Sequence, residues 1–409
     1  MTTLSVAEMR ATEPRERLEA FVRSVVATLP LRRQRQNALV YARGLIEHGG
    51  RKSLQPTLFR LGADGAQYES LQQFLADSPW DPEALFRACA ERVAPQIAPL
   101  AWVIDDTGFP KDGRHSPGVV RQYSGTLGKV GNCQIGVSLH AVSLTGTLPL
   151  GFSLYLPEEW TTDPDRRRRA KIPDRVAFQT KPELACELIE KAAGWAIPTA
   201  PVLADQAYGD SAELRTRLDD AGIPYVVAIS ERTGLFGPDT VFAVPARRPG
   251  RGRPPSIPRP DRPHASALDL ARGLPAEAFQ EVAFTTGPGG QELCGRFALL
   301  RVFAAHPIER DHLPPRQEWL IVEWPEGAER PSDLWLSNLP ADTAPERLVQ
   351  LARLRWVVEL DYRQLKGELG LDHYEGRSYL GWHHHCALVT LAHAFLTEER
   401  LCPQARRPA

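Results

Sequence analysis

Residues 100–105 read Leu-Ala-Trp-Val-Ile-Asp, and Asp106 follows directly. A short apolar run with β-branched residues that closes on acids is the pattern of a buried strand. Working outward, residues 133–143 (CQIGVSLHAVS) and 149–156 (PLGFSLYL) predict two more strands, joined by a turn at Thr145-Gly146. A charged stretch, DPDRRRRAK, leads into a helix over 181–195. The run APVLAD predicts a further short buried strand, closing on Asp205. A helix from Ser211 to Ala221 follows, with Gly222 as its C-cap, and then a strand over 225–229 (YVVAI). Residues 100–230 therefore read β-β-β-α-β-α-β, with acids at the ends of the first and fourth strands. The early hairpin makes the sheet mixed rather than doubly wound and parallel.

On the N-terminal side, residues 15–95 read as helices. Leu18, Phe21, Val22 and Val25 recur at helical spacing, and Leu71, Phe74 and Leu75 begin the same pattern. On the C-terminal side, residues 280–286, 293–303, 317–323 and 333–339 predict strands of a β-rich insertion. The Pro-, Gly- and Arg-rich piece 247–264 reads as a basic loop. Its RGRP core resembles a minor-groove hook, against which stands a solvated linker. A long helix is expected from Thr343 as N-cap, with Pro345 in the first turn and Glu346 completing a capping box, to about Leu369, where Gly370 ends it. A last apolar helix over 382–396 should pack on the sheet. The expected organisation is a helical N-terminal region (1–97), a core (98–230), a β-rich insertion (231–341), returning core helices (342–400) and a tail (401–409).

A chain of 409 residues with 43% hydrophobic content can bury one large core or two to three domains. The net charge of −1 argues against a uniformly basic DNA-coating protein, but residues 1–60 carry eleven Lys/Arg against five Asp/Glu. Six scattered cysteines without a CxxC pair speak against a zinc ribbon and for a reducing, cytoplasmic setting. The absence of a signal-peptide pattern and of any run near the length of a membrane span leads to the expectation of a soluble protein.

The chemistry is concentrated in acids. Two strand-terminal carboxylates, Asp106 and Asp205, and a third on a helix, Glu359, offer the oxygen ligands that hard divalent cations prefer. Asp105 is the rival first acid, because neighbouring residues of a strand point to opposite faces. On one continuous helix Arg355, Glu359, Tyr362 and Lys366 would share a face, which by itself could be a solvated salt-bridge ladder. Arg355 and Lys366 suit a substrate made of phosphates. The 153 residues between Asp205 and Glu359 exceed what one strand and a crossover need, which supports an insertion.

These residues carry a resemblance. The order of elements resembles the RNase-H-like fold of DDE transposases and retroviral integrases. Arg355, Glu359 and Lys366, spaced R-x(3)-E-x(6)-K, are similar to the Y-R-E-K signature of bacterial insertion-sequence transposases; Ala352 stands where that signature has Tyr. The blocks IDDTGFPKDGRHSPGVVRQYSGTLGKVGNCQ, VLADQAYGD and ELGLDHYEGRSYLGWHHH resemble insertion-sequence family seven-hundred-and-one, and the likeness spans about residues 30 to 400. The resemblance implies a polynucleotidyl transferase in which Asp106, Asp205 and Glu359 hold two Mg²⁺ ions, with Mn²⁺ able to substitute. It would cut the element's ends and join them to target double-stranded DNA, acting as a homodimer on DNA. The alternatives are a nuclease of the same fold without strand transfer, a non-catalytic DNA-binding descendant, and a small-molecule phosphatase.

Arg32, Arg33, Arg35 and Arg43 on the second helix, with Arg121 and Lys129 beside the glycines 125, 128 and 131, are candidate DNA contacts; a solvated helix face is the plainer reading of the first four. Trp160 before Arg166–Arg169 could stack an unpaired base, or belong to a surface loop. His383, His384 and His385 point in different directions from a helix, so structure or DNA contact suits them better than metal. Asp372, His373 and Glu375 could support the site or cap a turn.

Overall fold

The computed structural model describes residues 13–47, 49–62, 64–245, 257–286, 290–305 and 315–402. The RGRP piece and the last residues of the tail lie outside them. The fold is mixed α/β, and it divides into two compact units, Met1–Thr199 with Trp356–Ala409, and Ala200–Arg355.

The first unit begins with helices α1 (Pro14–Val25), α2 (Arg32–Ile46), α3 (Leu54–Arg60), α4 (Gly65–Ala76) and α5 (Pro82–Ile97). The apolar stripe Leu18, Phe21, Val22 and Val25 of α1 is buried, as its spacing predicts. Four antiparallel strands follow: β1 (Ala101–Pro110), β2 (Val120–Ser124), β3 (Lys129–Val142) and β4 (Thr147–Tyr155). β3 is the centre of this sheet. It pairs with β1 along one edge, and shares its other edge between β2 and β4. Its residues from Cys133 to Val142 are all buried, and the polar ones among them, Gln134, Ser138 and His140, are hydrogen-bonded inside. The short helices α6 (Glu158–Thr162) and α7 (Pro164–Ala170) lead to α8 (Lys181–Ala193), which packs on β3 and β4. A capping box of Thr180 and Glu183 starts α8.

In the second unit β5 (Val202–Ala204) and β6 (Tyr225–Ala228) are parallel, linked through α9 (Gln206–Gly209) and α10 (Ala212–Asp220). Gly222 takes the left-handed conformation just after α10 (φ 65°). At Gly209 the backbone comes so close to the Ala228 carbonyl that a Cβ would lie 1.8 Å from its oxygen, so no other residue fits. The β-rich piece holds β7 (Gly234–Phe236), β8 (Phe242–Ala243), β9 (Arg259–Pro260), β10 (Ala265–Ser266), β11 (Gln280–Thr285), β12 (Glu292–Ala304), β13 (Gln317–Glu323) and β14 (Asp333–Ser337). β14 pairs with β6, so β12, β13 and β14 extend the sheet that β5 and β6 begin. α11 (Ala267–Arg272) and α12 (Pro345–Leu354) complete the unit, and α12 packs on β6, β11 and β13. The first unit resumes with α13 (Val357–Gly367) and α14 (Tyr379–Leu401).

Several expectations are corrected. β1 runs on to Pro110 because β3 pairs with it over all ten residues, so Asp105 and Asp106 lie inside a strand and not at its end. β2 was not foreseen. Within the expected basic loop, Arg259–Pro260 forms β9, which pairs with β8. The long helix of residues 344–369 is two helices. Ala344, not Thr343, is the N-cap, without a side-chain cap bond, and Pro345 is the first helical residue. Arg355 and Trp356 keep helical dihedral angles, but the i→i−4 ladder lapses there and Glu359 N donates to Trp356 O at 3.0 Å, a tightened turn. Neither Pro nor Gly marks that break. The last helix is longer than predicted, because Ser378 caps it well ahead of residue 382.

One buried acid in the second unit sets a pH dependence. Glu318 on β13 accepts from Tyr225 Oη at 2.9 Å, and burial pushes its pKa up to about 7 against the pull of Arg215. The folded state thus keeps a proton between about pH 4.5 and 7 that the unfolded chain releases, and stability falls as pH rises through that window. Melting curves should show wild type losing ground to Glu318→Gln from pH 4.5 to 7.5. Parallel curves would refute the assignment.

Candidate active site

The β1–β3 register decides which way each acid faces. Asp105 lies opposite Ser138, and Asp106 opposite Val137. Cross-strand partners share a face, so Asp105 and Ser138 point one way, Asp106 and Val137 the other. Ser138 Oγ meets Tyr362 Oη of α13 at 2.5 Å. On the opposite face Asp106 Oδ2 accepts from Lys181 Nζ of α8 at 2.8 Å. Asp105 therefore shares its face with α13, the helix that carries Glu359, whereas Asp106 is engaged by α8. Asp105 Oδ1 also accepts from the Asp106 backbone N–H at 2.8 Å.

α13 is held on that face by a buried charge. Asp361 has no solvent exposure. Its Oδ2 lies 2.5 Å from His140 Nδ1, and its Oδ1 accepts from Thr147 Oγ1 at 2.8 Å and forms an ion pair with His393 Nε2 at 2.8 Å. Burial alone would raise the Asp361 pKa, but His393 and His140 outweigh it and hold the carboxyl far below its usual range. The line continues from His140 Nε2 to Ser138 Oγ at 2.9 Å and on to Tyr362. Burial, and then the nearby Asp105 charge, push the Tyr362 hydroxyl well above the usual phenol range, so it stays protonated.

Lys366 forms the second fixation. Its Nζ donates to the Gly108 carbonyl of β1 at 2.8 Å and to Thr126 Oγ1 at 3.1 Å, and lies 5.5 Å from the centre of the Phe109 ring. Burial lowers its pKa to about 8. Glu359 stands exposed in the first turn of α13, where the helix dipole favours a negative charge.

The other expected residues are placed as follows. Asp205 follows β5 in the second unit and caps α9, its carboxylate accepting from Tyr208 N at 3.3 Å. Arg355 is the C-cap of α12 and not a member of the Glu359 helix. Arg32 and Arg33 are exposed along a shallow groove with Gln36, Gln67 and Ser70. Arg35 Nε donates to Leu29 O at 2.7 Å and Arg43 pairs with Glu47. Arg121 is on β2 and Lys129 opens β3, so the expected glycine loop is a hairpin turn. Trp160 is a correction: it is buried, with Nε1 donating to Val119 O at 2.9 Å, and cannot offer its face to a base. Of the three histidines, His384 lies between the carbonyls of Leu75 and Trp80, and His385 between Tyr41 Oη and the carbonyls of Gly370 and Leu371. They are structural. His373 and Glu375 engage Lys52 N and Arg51. Among the described residues no three His, Cys, Asp or Glu side chains form a ready metal cage.

Sequence reasoning missed His140, Asp361, His393 and Lys181. His140 and His393 had a signal, each a titratable group within an otherwise buried stretch, and Asp361 stands at a helical spacing on the stripe of Val357, Val358 and Leu365.

Residues 24–288, more than half of the chain, match the family model described as DDE superfamily endonuclease. The chain belongs to that family. It is similar to the probable transposase for insertion sequence element IS701 of Microchaete diplosiphon, 35% identical over 189 residues that make up 46% of each protein. The match thus spans about half the length of that curated relative.

Two outcomes follow from the anchoring of α13. Asp361→Asn breaks a buried ion cluster and should cost about 3–5 kcal/mol in denaturant unfolding at pH 7. Because the folded pKa lies below the unfolded one, this contribution is complete above about pH 4 and is lost as pH falls. The gap to wild type should therefore close on acidification, and a constant gap would contradict it. Lys366 has a folded pKa of about 8 against 10.5, so the folded state sheds its proton first and stability rises with pH between the two values. Wild type should gain on Lys366→Met over that range; equal slopes would show that burial does not strain the ammonium.

Proposed function

We propose that the protein is a DNA transposase that cuts the ends of its own element and joins the freed 3′ ends to target DNA, with Asp105, Asp205 and Glu359 as its reacting-centre carboxylates. The observation that carries this choice of first acid is the Asp105–Ser138 pair beneath Tyr362. Asp106, the acid favoured by the sequence, is the counterion of Lys181. Asp205 rests on the sequence pattern, an acid closing a buried strand, together with membership of the endonuclease family. Joining activity is argued from the relative's name.

The donor set is all carboxylate oxygen, which fits a hard divalent cation such as Mg²⁺. When bound, such ions supply the charge that lowers the pKa of an attacking hydroxyl and steadies a departing oxygen. This chain's own groups orient and confine. Asp105 and Glu359 would hold their positions through β1 and α13, and Tyr362, protonated, keeps a donor beside Asp105. Water would attack the phosphodiester at the element's end, breaking the bond to the 3′ oxygen and leaving a 3′-OH. That 3′-OH would then attack a target phosphodiester, forming a bond to the target phosphorus while the target's own bond to its 3′ oxygen breaks and leaves a target 3′-OH. Arg32, Arg33, Arg121 and Lys129 would meet phosphates of duplex DNA, and two ends cut together imply a dimer on DNA.

The test is cleavage of a plasmid carrying the element's own ends, with Mg²⁺. Asp105→Asn, Asp205→Asn and Glu359→Gln should bind the ends but cut more than roughly a hundredfold less, beyond the usual effect of outer partners. Asp106→Asn should keep most of the activity. If Asp106→Asn abolishes cutting and Asp105→Asn does not, the first acid is reversed. If all variants cut, the carboxylate reading fails. Cutting without joining of labelled 3′ ends would make the protein a nuclease only.

A further inference from the structure

The β2–β3 hairpin carries a feature that the cutting reaction does not account for. Tyr123 is 66% exposed and Val130 50% exposed, and they are direct cross-strand partners. Two large apolar side chains thus lie side by side in water. Arg121, two residues from Tyr123 on the same face, is exposed. Asn132, opposite Arg121, donates to the carbonyls of Lys111 and Gly113 at 2.6 and 2.8 Å, which draws the loop with the exposed Arg114 and Asp112 up to the hairpin. Lys129 is exposed at the turn.

The hairpin is tied to the strand that carries Asp105 and the helix that carries Glu359. Thr126 Oγ1 in its turn accepts from Gly108 N at 3.2 Å and from Lys366 Nζ at 3.1 Å. Gly128 closes the turn in the left-handed conformation (φ 62°). Counting by twos along β3 from Ser138, through Gly136 and Gln134, leads to Asn132 and Val130. By alternation Arg121, Tyr123 and Val130 therefore belong to the same side of the sheet as Asp105, and the hairpin bends so that its turn lies against Gly108.

A surface that met only the outside of a duplex would need cations alone. An exposed ring backed by a β-branched side chain among Arg121, Arg114 and Lys129 matches a ligand with both phosphates and flat apolar faces, which is an unpaired stretch of nucleic acid. We propose that Arg121, Tyr123 and Val130 receive an unpaired nucleotide next to the phosphodiester being cut, with its base against the Tyr123 ring and its phosphate at Arg121. This rests on the DNA-cutting reading of the same site.

The test uses the full chain and two labelled probes, a fully paired duplex of the element's end and the same duplex with an unpaired thymidine tail at the cut position. Wild type should prefer the tailed probe by roughly tenfold, the worth of one stacked base. Tyr123→Leu should lose that preference while binding the paired duplex as before, Tyr123→Phe should keep it, and Arg121→Gln should weaken both probes. Unchanged thermal melting of Tyr123→Leu would show that the fold is intact. The proposal is overturned if wild type shows no preference or if Tyr123→Leu retains it. It is overturned equally if Tyr123→Leu turns a DNA-free dimer into a monomer, which would make the face a contact between copies. Glu359→Gln separates the two readings: it should keep the tail preference while losing cutting. A protein that prefers the tail through Tyr123 yet cuts nothing retains this site and loses the catalytic reading.

Discussion

An ionised acid without solvent exposure needs partners on every side, and Asp361 finds them on three elements: His140 on β3, Thr147 on β4 and His393 on α14. Desolvation makes an unpaired charge there prohibitively costly, so the four groups assemble together or not at all. An apolar residue of similar size could hold α13 equally tightly, but packing alone tolerates small slides, whereas hydrogen bonds to β3 and β4 together with the close His393 contact fix the height and rotation of the helix. Two residues along, about 200° around the helix axis, Glu359 is thereby turned to solvent. One residue on, Tyr362 reaches Ser138. The exposure of Glu359 thus follows from the burial of Asp361.

Strand alternation sorts the neighbouring acids in the same economical way. Asp105 and Asp106 are adjacent in sequence yet belong to different sides of the sheet, one towards Tyr362 and the other towards Lys181. Two adjacent carboxylates on one face would repel and raise each other's pKa. On opposite faces one can be a structural counterion while the other remains on the side of α13. Lys366 is the counterpart in strain. Burial lowers its pKa, yet it spans the Gly108 carbonyl and Thr126 and so ties α13, β1 and the hairpin turn together. A cation kept where it is uncomfortable is the kind of cost found at sites that handle charge.

Most of the strands and helices were legible from their apolar residues, which recur at helical spacing in α1 and form short runs in β1 and β5. The boundaries that failed are those set by partners. β1 outruns its apolar segment because β3 supplies hydrogen bonds as far as Pro110, and no sequence period encodes a partner's length. The lapse between α12 and α13 has no Pro or Gly to announce it. In the site, the types of acid were legible and their directions were not: a string of letters gives Asp105 and Asp106 equal standing until a register is known. Trp160 misled for a similar reason. An aromatic beside four arginines reads as a surface platform, but Val119 offers its indole N–H a carbonyl indoors.

The arginines themselves show why net charge said so little. In α7 and just before it, Arg166 pairs with Glu159 and Asp163, Arg168 with Asp165, and Arg167 donates to the carbonyls of Thr161, Pro173 and Val176. That run, the densest basic block in the described residues, is largely spent on holding its own loop. Arg32, Arg33, Arg121 and Lys129 are fewer but exposed. A cation already matched by a carboxylate releases few counterions when DNA arrives, so affinity depends on those that face water unmatched. Counting charges along the chain therefore overweights 166–169 and underweights a hairpin with a single arginine, and only the fold reveals which basic residues remain available to a phosphate.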